Sequence, residues 1–302
     1  MATSNESAQG YVPDPRNEQV LVYVNGDFVP RHEARVSVFD SGFVLGDGVW
    51  EGLRLVDGRI ISFDAHLDRL FEGARSIALD IGLTRAQVQQ AVRDTLAKNG
   101  MTTSGAHVRL MVTRGVKRTV NQDPRFVIGA ATVVIVAEFK TPKPEVKARG
   151  LSLFTSTFRT SGPDVFDLRL NSHSRLNLIQ ALIQAINAGA DEALMLDPRG
   201  FVASCNSTNF FIVRGRELWT STSLYSFKGI TQQNVIDAWR ADMAGNLVYR
   251  ASARNFNPIM AMAADMVVVQ ARTIETDTFL DPEAIVTPGL FVDRLVAVRD
   301  GQ

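Results

Sequence analysis

The sequence predicts an α+β fold, in which helices are interleaved with strands joined mainly by hairpins. Two observations carry this. Alternating apolar stretches break at Asn25-Gly26 and Asp57-Gly58, the turn dipeptides of tight hairpins. Between the strand pairs lie runs with apolar residues spaced three and four apart, bounded by capping residues, which read as amphipathic helices. At 302 residues and 45% hydrophobic content, the chain can bury a sizeable core in one large or two medium domains.

Taken in order, residues 1–18 are polar and interrupted by Pro and Gly, and are expected to be a disordered arm. Val20–Pro30 reads as the first hairpin. A strand at Val36–Phe39 leads into Asp40-Ser-Gly-Phe-Val-Leu-Gly-Asp-Gly48, whose glycines lack the spacing of a dinucleotide or phosphate-loop fingerprint and suit a tight connection. Glu51–Ser62 is the second hairpin. Asp64 caps a helix to Ile77 with Leu67, Leu70, Phe71 and Ala74 as its stripe, and Thr84 caps another over Arg85–Asn99 that ends at Gly100. Strands follow at His107–Thr113 and Ala131–Ala137. The charged, proline-broken run from Lys140 to Lys147 divides the chain into a small domain over 19–140, a linker over 141–149 and a larger domain over 150–302.

The second half opens with a strand at Leu151–Phe158. A helix follows in which Leu178, Ile179, Leu182, Ile183 and Ile186 share one face, with Ser174 or Asn171 as its cap. Strands are expected at Glu192–Leu196 and Phe201–Ser204, a hairpin at Phe210–Val213 and Glu217–Trp219, and a helix over 232–243. A buried strand at Asp265–Gln270 and a last helix running to Val298 complete the chain.

Composition narrows the function. Thirty-two basic and thirty-two acidic residues cancel, so no long-range field favours nucleic acid or an anionic membrane. No apolar run approaches the ~20 residues of a membrane span. The single cysteine, Cys205, fits a reducing compartment, and with no basic-then-apolar leader pattern the cytoplasm is the expected address. No metal-ligand spacing stands out.

Gly229-Ile230-Thr231 lies at a helix start, where free N–H groups favour an anion. Arg69 is a candidate cation for it. His66 and His173 are acid–base candidates by intrinsic pKa, and Cys205 is a nucleophile only if its thiol is acidified.

These pieces line up with one family. The sequence resembles the class IV (fold-type IV) pyridoxal-phosphate aminotransferases, which include branched-chain and D-amino-acid transaminases, (R)-amine transaminases and aminodeoxychorismate lyase. The resemblance rests on Tyr23-Val-Asn-Gly26, on Asp40 to Gly52 and on His66-Leu-Asp-Arg-Leu70. Further along it rests on Gly189 to Asp197, Asn206 to Val213 and Gly229-Ile-Thr231. It implies a small N-terminal α/β domain, a larger barrel-like C-terminal domain and a homodimer. It also implies a phosphate site at Arg69, Gly229, Ile230 and Thr231, and a pocket wall that includes Phe43, Gly46 and Trp50.

Three departures strike the chemistry. The family's Schiff-base lysine begins a motif like Lys-Ser-His-Ser-Arg-Leu-Asn, which here reads Asn171-Ser-His-Ser-Arg-Leu-Asn177. The glutamate that pairs with the pyridine nitrogen falls at Ser204. A late Thr-Gly-Thr is Gln270-Ala-Arg272, and Arg272 is a candidate second cation for the cup. An amide cannot serve as the amine nucleophile, and a hydroxyl is a poor partner for a ring nitrogen.

The leading expectation is an enzyme that no longer transaminates: a lyase, hydrolase or isomerase acting on a small anionic molecule. Any pyridoxal phosphate it takes would be held noncovalently. Its catalytic candidates are His173, Asp167, Arg169 and Cys205 around Asn171 and Ser204. The alternatives are a pyridoxal-phosphate transaminase or lyase anchored unusually, with Lys228 the one lysine after the linker, and a catalytically dead anion-binding protein.

Overall fold

The computed structural model describes residues 10–214, 217–222, 224–232, 238–242, 247–249, 268–276, 279–282, 285 and 294–297. Its first half is built on a six-stranded, wholly antiparallel sheet. The order is Asp27–Pro30, Leu21–Val24, Thr132–Phe139, Ala106–Thr113, Gly48–Val56 and Arg59–Ile60. Both predicted hairpin turns form. Asn25 and Gly26 have φ of 51° and 109°, and Asp57 and Gly58 have 47° and 74°, the positive values that such two-residue turns need.

Helices Phe63–Ser76 and Arg85–Lys98 cover one face of this sheet, burying Leu67, Leu70, Val88 and Val92 against Leu53, Leu110 and Ile135. Each such side chain contributes about 1.5–3 kcal/mol when buried. Thr84 caps as expected, in a reciprocal box with Gln87. Asp64 does not. The N-cap is Ser62, and the Asp64 carboxylate instead accepts from Arg85 at 3.0 Å.

Strand alternation decides what the other face of the sheet carries. Val49, Glu51, Leu53 and Leu55 point to the helices, so Trp50, Gly52 and Arg54 point away. The register sets Gly52 opposite Arg109 and Arg54 opposite His107, adding two further polar side chains to that face.

The expected disordered arm is ordered over its described part. Tyr11–Val12 pairs with Thr141–Pro142, and Pro15–Gln19 forms a 3-10 turn. Buried Asn17 explains the docking, since its carboxamide both donates to and accepts from the Phe139 backbone at 2.8 Å. The expected linker over 141–149 holds one strand of that pair, Thr141–Pro142, and a helix, Pro144–Arg149, which Pro144 can start because a first-turn N–H needs no partner. Val36–Phe39 is not a strand; only neighbouring Asp40 bridges, to Val116.

In the second half, Glu192–Leu196 lies between Leu153–Thr155, parallel, and Val202–Cys205, antiparallel. Helix Leu176–Asn187 packs on these strands through Ala181 and Ala185 against Ala193 and Met195. The apolar face expected of this helix is therefore not its buried one: Ile179, Ile183 and Ile186 are exposed. The two alanines let the helix approach the sheet closely, which the bulkier face cannot do. Neither Ser174 nor Asn171 caps it; the N-cap is Arg175.

Phe211–Arg214 and Glu217–Thr220 form the expected hairpin. Four further strands, Ala238–Asp242, Leu247–Tyr249, Val268–Glu275 and Arg294–Ala297, make a mixed sheet. Residues 238–242 and 294–297 were expected to be helical; both instead have ladder partners on Val268–Glu275, and this long-range pairing overrides local propensity.

Leu110 is fully buried at the centre of the first sheet. Leu110→Ala is expected to lower stability by about 2–5 kcal/mol, read by urea denaturation. A change below about 0.5 kcal/mol would contradict the assigned core.

Candidate active site

The two halves meet where residues 171–173 dock on the start of the Gly48–Val56 strand. The Trp50 N–H donates to the Asn171 carbonyl at 2.9 Å, and the His173 N–H donates to the Gly48 carbonyl at 3.0 Å. The Trp50 indole N–H donates to the Ser172 carbonyl at 3.0 Å. Only glycine fits at position 48, where an added Cβ would lie 2.4 Å from the Val112 carbonyl oxygen and 2.7 Å from the His173 ring.

Beside this seam is a cavity of about 840 Å³. Its charged lining is Arg54, Arg69, Arg109, Lys140 and Arg175, with no carboxylate among the described residues. The counter-charge sits just behind the wall. Glu51, wholly buried, accepts from Arg69 Nε at 2.7 Å and Arg69 Nη2 at 2.6 Å, and holds His66 Nδ1 at 2.6 Å. Burial raises the Glu51 pKa, but the bonds from Arg69 and His66 outweigh that, so it ionises below the usual carboxylate range. In the neutral tautomer that donates from Nδ1 to Glu51, His66 Nε2 is an acceptor.

Asn171 lines this cavity and is buried. Its amide nitrogen donates to the Trp50 carbonyl, and its amide oxygen accepts from Arg175. Ser204 and Cys205 also line the cavity, on the Val202–Cys205 strand. Burial, then the nearby Glu192 carboxylate, pushes the Cys205 thiol up to about 11, so it is not the acidified nucleophile the sequence left open.

Gly229, Ile230 and Thr231 also line the cavity, next to Arg69, whose Nη1 donates to the Lys228 carbonyl at 3.1 Å. An added Cβ on Gly229 would lie 2.3 Å from the Asn209 amide oxygen, so the loop is closed against any larger residue. The Lys228 side chain is exposed and does not line the cavity.

The remaining candidates fall elsewhere. Asp167 and Arg169 pair with each other at 2.7 Å and do not line the cavity; the short loop between them closes that bond locally. His173 packs against Gly48, and its buried Nε2 has no hydrogen-bond partner among the described residues. Phe43 is 70% exposed, because the short helix Ser41–Leu45 turns it away from the cavity that Trp50 lines. Arg272 is on the Val268–Glu275 strand, with its side chain outside the described residues.

Sequence reasoning missed Glu51, His107, Arg109 and Arg175. The signal was the period-two alternation of two neighbouring strands, which places Trp50 and Arg54 with His107 and Arg109 on one face.

The family model for amino-transferase class IV matches residues 48–269. The chain belongs to this family. It is 38% identical over 226 residues to branched-chain-amino-acid aminotransferase-like protein 2 of Arabidopsis thaliana, covering 75% of this chain and 40% of that protein. The chain thus spans less than half the length of that relative. It is 29% identical to a branched-chain-amino-acid aminotransferase of Pseudomonas aeruginosa, covering 72% of this chain and 71% of that one. Among solved structures it resembles the branched-chain aminotransferase of the thermophilic archaeon Thermoproteus uzoniensis with norvaline. That likeness has a TM-score of 0.63 and 26% identity, and covers 72% of this chain and 73% of the other. The fold is that of the fold-type IV aminotransferases. No described helix is long and apolar enough to cross a membrane.

His107 and His173 are held neutral. Burial first, then nearby cations (Lys140, Arg54 and Arg109 for His107, Arg109 for His173), brings each to about 4 from 6.5. The unfolded chain takes up these protons near pH 6.5 and the folded one only near pH 4. Stability is therefore full above about pH 6.5 and falls as pH drops towards about 4. A melting temperature that declines over this window, and declines less in His107→Asn, is expected from scanning calorimetry. An unchanged slope in that variant would contradict the assignment.

Proposed function

We propose that this chain is an enzyme of the class IV aminotransferase family that binds a small anionic molecule and no longer anchors pyridoxal phosphate covalently. The observation that carries this is the state of Asn171. At the position where the resemblance expects the lysine, a carboxamide is bonded at both ends, to the Trp50 carbonyl and to Arg175. Ser204, where a carboxylate is expected, leaves a ring nitrogen without its ionic partner. The residues present fit the phosphate end of the cofactor, at Arg69 and Gly229–Thr231, and do not fit its covalent attachment.

Pyridoxal phosphate supplies an electron sink when it is bound and anchored. This chain's own residues supply something different. Glu51 fixes the His66 tautomer and leaves Nε2 able to take a proton from a bound molecule. Buried cations are placed to stabilise the negative charge that develops when it does. That combination suits proton abstraction next to a carboxylate or phosphate, as in lyase and isomerase reactions, or from an attacking water, as in a hydrolase. A homodimer accords with the family resemblance.

A second reading, pyridoxal-phosphate transamination, has one observation in its favour besides the names of the relatives: Lys140 lines the cavity. Covalent trapping separates the two. After incubation with pyridoxal phosphate and borohydride, the intact mass is expected to be unchanged for the protein itself and to rise by one reduced cofactor for Asn171→Lys. An adduct on the unaltered chain, mapped to Lys140 or Lys228, would overturn the proposal.

A further inference from the structure

Three arginines and two aromatic rings are interleaved along the cavity. The Arg109 guanidinium carbon lies 3.2 Å from the Trp50 ring centroid and that of Arg175 lies 5.5 Å from it. Arg175 is also 5.3 Å from the Phe227 centroid, and Arg69 is 4.5 Å from the same ring. Stacking on aromatic faces supports a guanidinium that has little water around it.

The three are not compensated alike. Arg69 spends two nitrogens on Glu51. Arg109 and Arg175 have no carboxylate partner among the described residues. Among the described residues Arg175 donates only to neutral oxygens, the Ser172 carbonyl at 2.9 Å and the Asn171 amide, which leaves N–H groups for a ligand at the cavity wall. Gathering these charges in a half-buried site raises the energy of the empty cavity, and an anion placed among them lowers it. Asn171 turns the guanidinium by holding one of its nitrogens.

We propose that Arg175, oriented by Asn171, is a second anion subsite separate from the cup at Arg69 and Gly229–Thr231, and that the natural ligand is a short dianion with one charged group in each. Short dicarboxylates and phosphorylated carboxylic acids have this chemistry. The guanidinium carbons of Arg69 and Arg175 lie 4.5 and 5.3 Å from the Phe227 centroid, so they are less than about 10 Å apart, within the reach of such a molecule and its two ion pairs. The planar fork of Arg175 suits a carboxylate, which it can grip through two parallel bonds.

This inference deepens the proposed function and uses the same site, so its test is chosen to fail separately. Isothermal titration of the full chain with succinate, butyrate and inorganic phosphate measures the two subsites without any cofactor. Succinate is expected to bind at least tenfold more tightly than butyrate. Arg175→Met is expected to remove that preference while inorganic phosphate binds within twofold of the unaltered protein. Arg175→Lys, which keeps the charge and loses the fork, is expected to fall between them. No preference for succinate in the unaltered protein would overturn the subsite whatever the variants do, as would an Arg175→Met protein that retains it. A covalent cofactor adduct would sink the proposed function and leave these binding ratios standing.

Discussion

Everything at the site depends on the short antiparallel contact between Gly48–Trp50 and Asn171–His173. It is made of backbone hydrogen bonds at 2.9 and 3.0 Å and the Val49–Ser172 bridge, so it fixes position rather than merely proximity. One segment belongs to the six-stranded sheet and the other leads directly into helix Leu176–Asn187. The contact therefore joins the two halves through main-chain groups that cannot be left unpaired when buried. Gly48 is part of the same constraint, since a side chain there would drive the two segments apart.

From that seam the charge arrangement follows. Trp50 faces the cavity because Val49 and Glu51 face the helices, and its ring becomes the surface on which Arg109 and Arg175 stack. Among the described residues, Glu51 is the carboxylate that answers this cluster, and it lies behind the wall, where His66 and Arg69 occupy it. An anion entering the cavity meets cations and neutral dipoles, with no acidic side chain among the described lining residues to repel it. The burial that lowers Arg109 and Arg175 to about 10 still leaves both charged at neutral pH.

Much of the fold was legible because local signals and tertiary packing agree there. Asn25-Gly26, Asp57-Gly58 and the Thr84–Gln87 box each specify a backbone conformation that the structure adopts. Where they disagree, packing wins. The central helix carries its large apolar residues on one face, yet it docks through Ala181 and Ala185, since closeness to the sheet matters more there than side-chain size. Residues 238–242 are drawn into a ladder against a helical pattern. The site divides in the same way. Arg69, Ser204 and Gly229–Thr231 were readable from motif order, whereas Arg109 and Glu51 depend on which side of a strand a residue faces. Arg175 was hidden differently, inside a motif read for its first residue only.

The central claim is that position 171 orients an arginine instead of supplying an amine. A visible absorption spectrum of the purified protein titrated with pyridoxal phosphate tests it most directly. The account predicts that the spectrum stays that of the free aldehyde and that the chromophore is lost on gel filtration. A shifted band that stays with the protein through the column would contradict it.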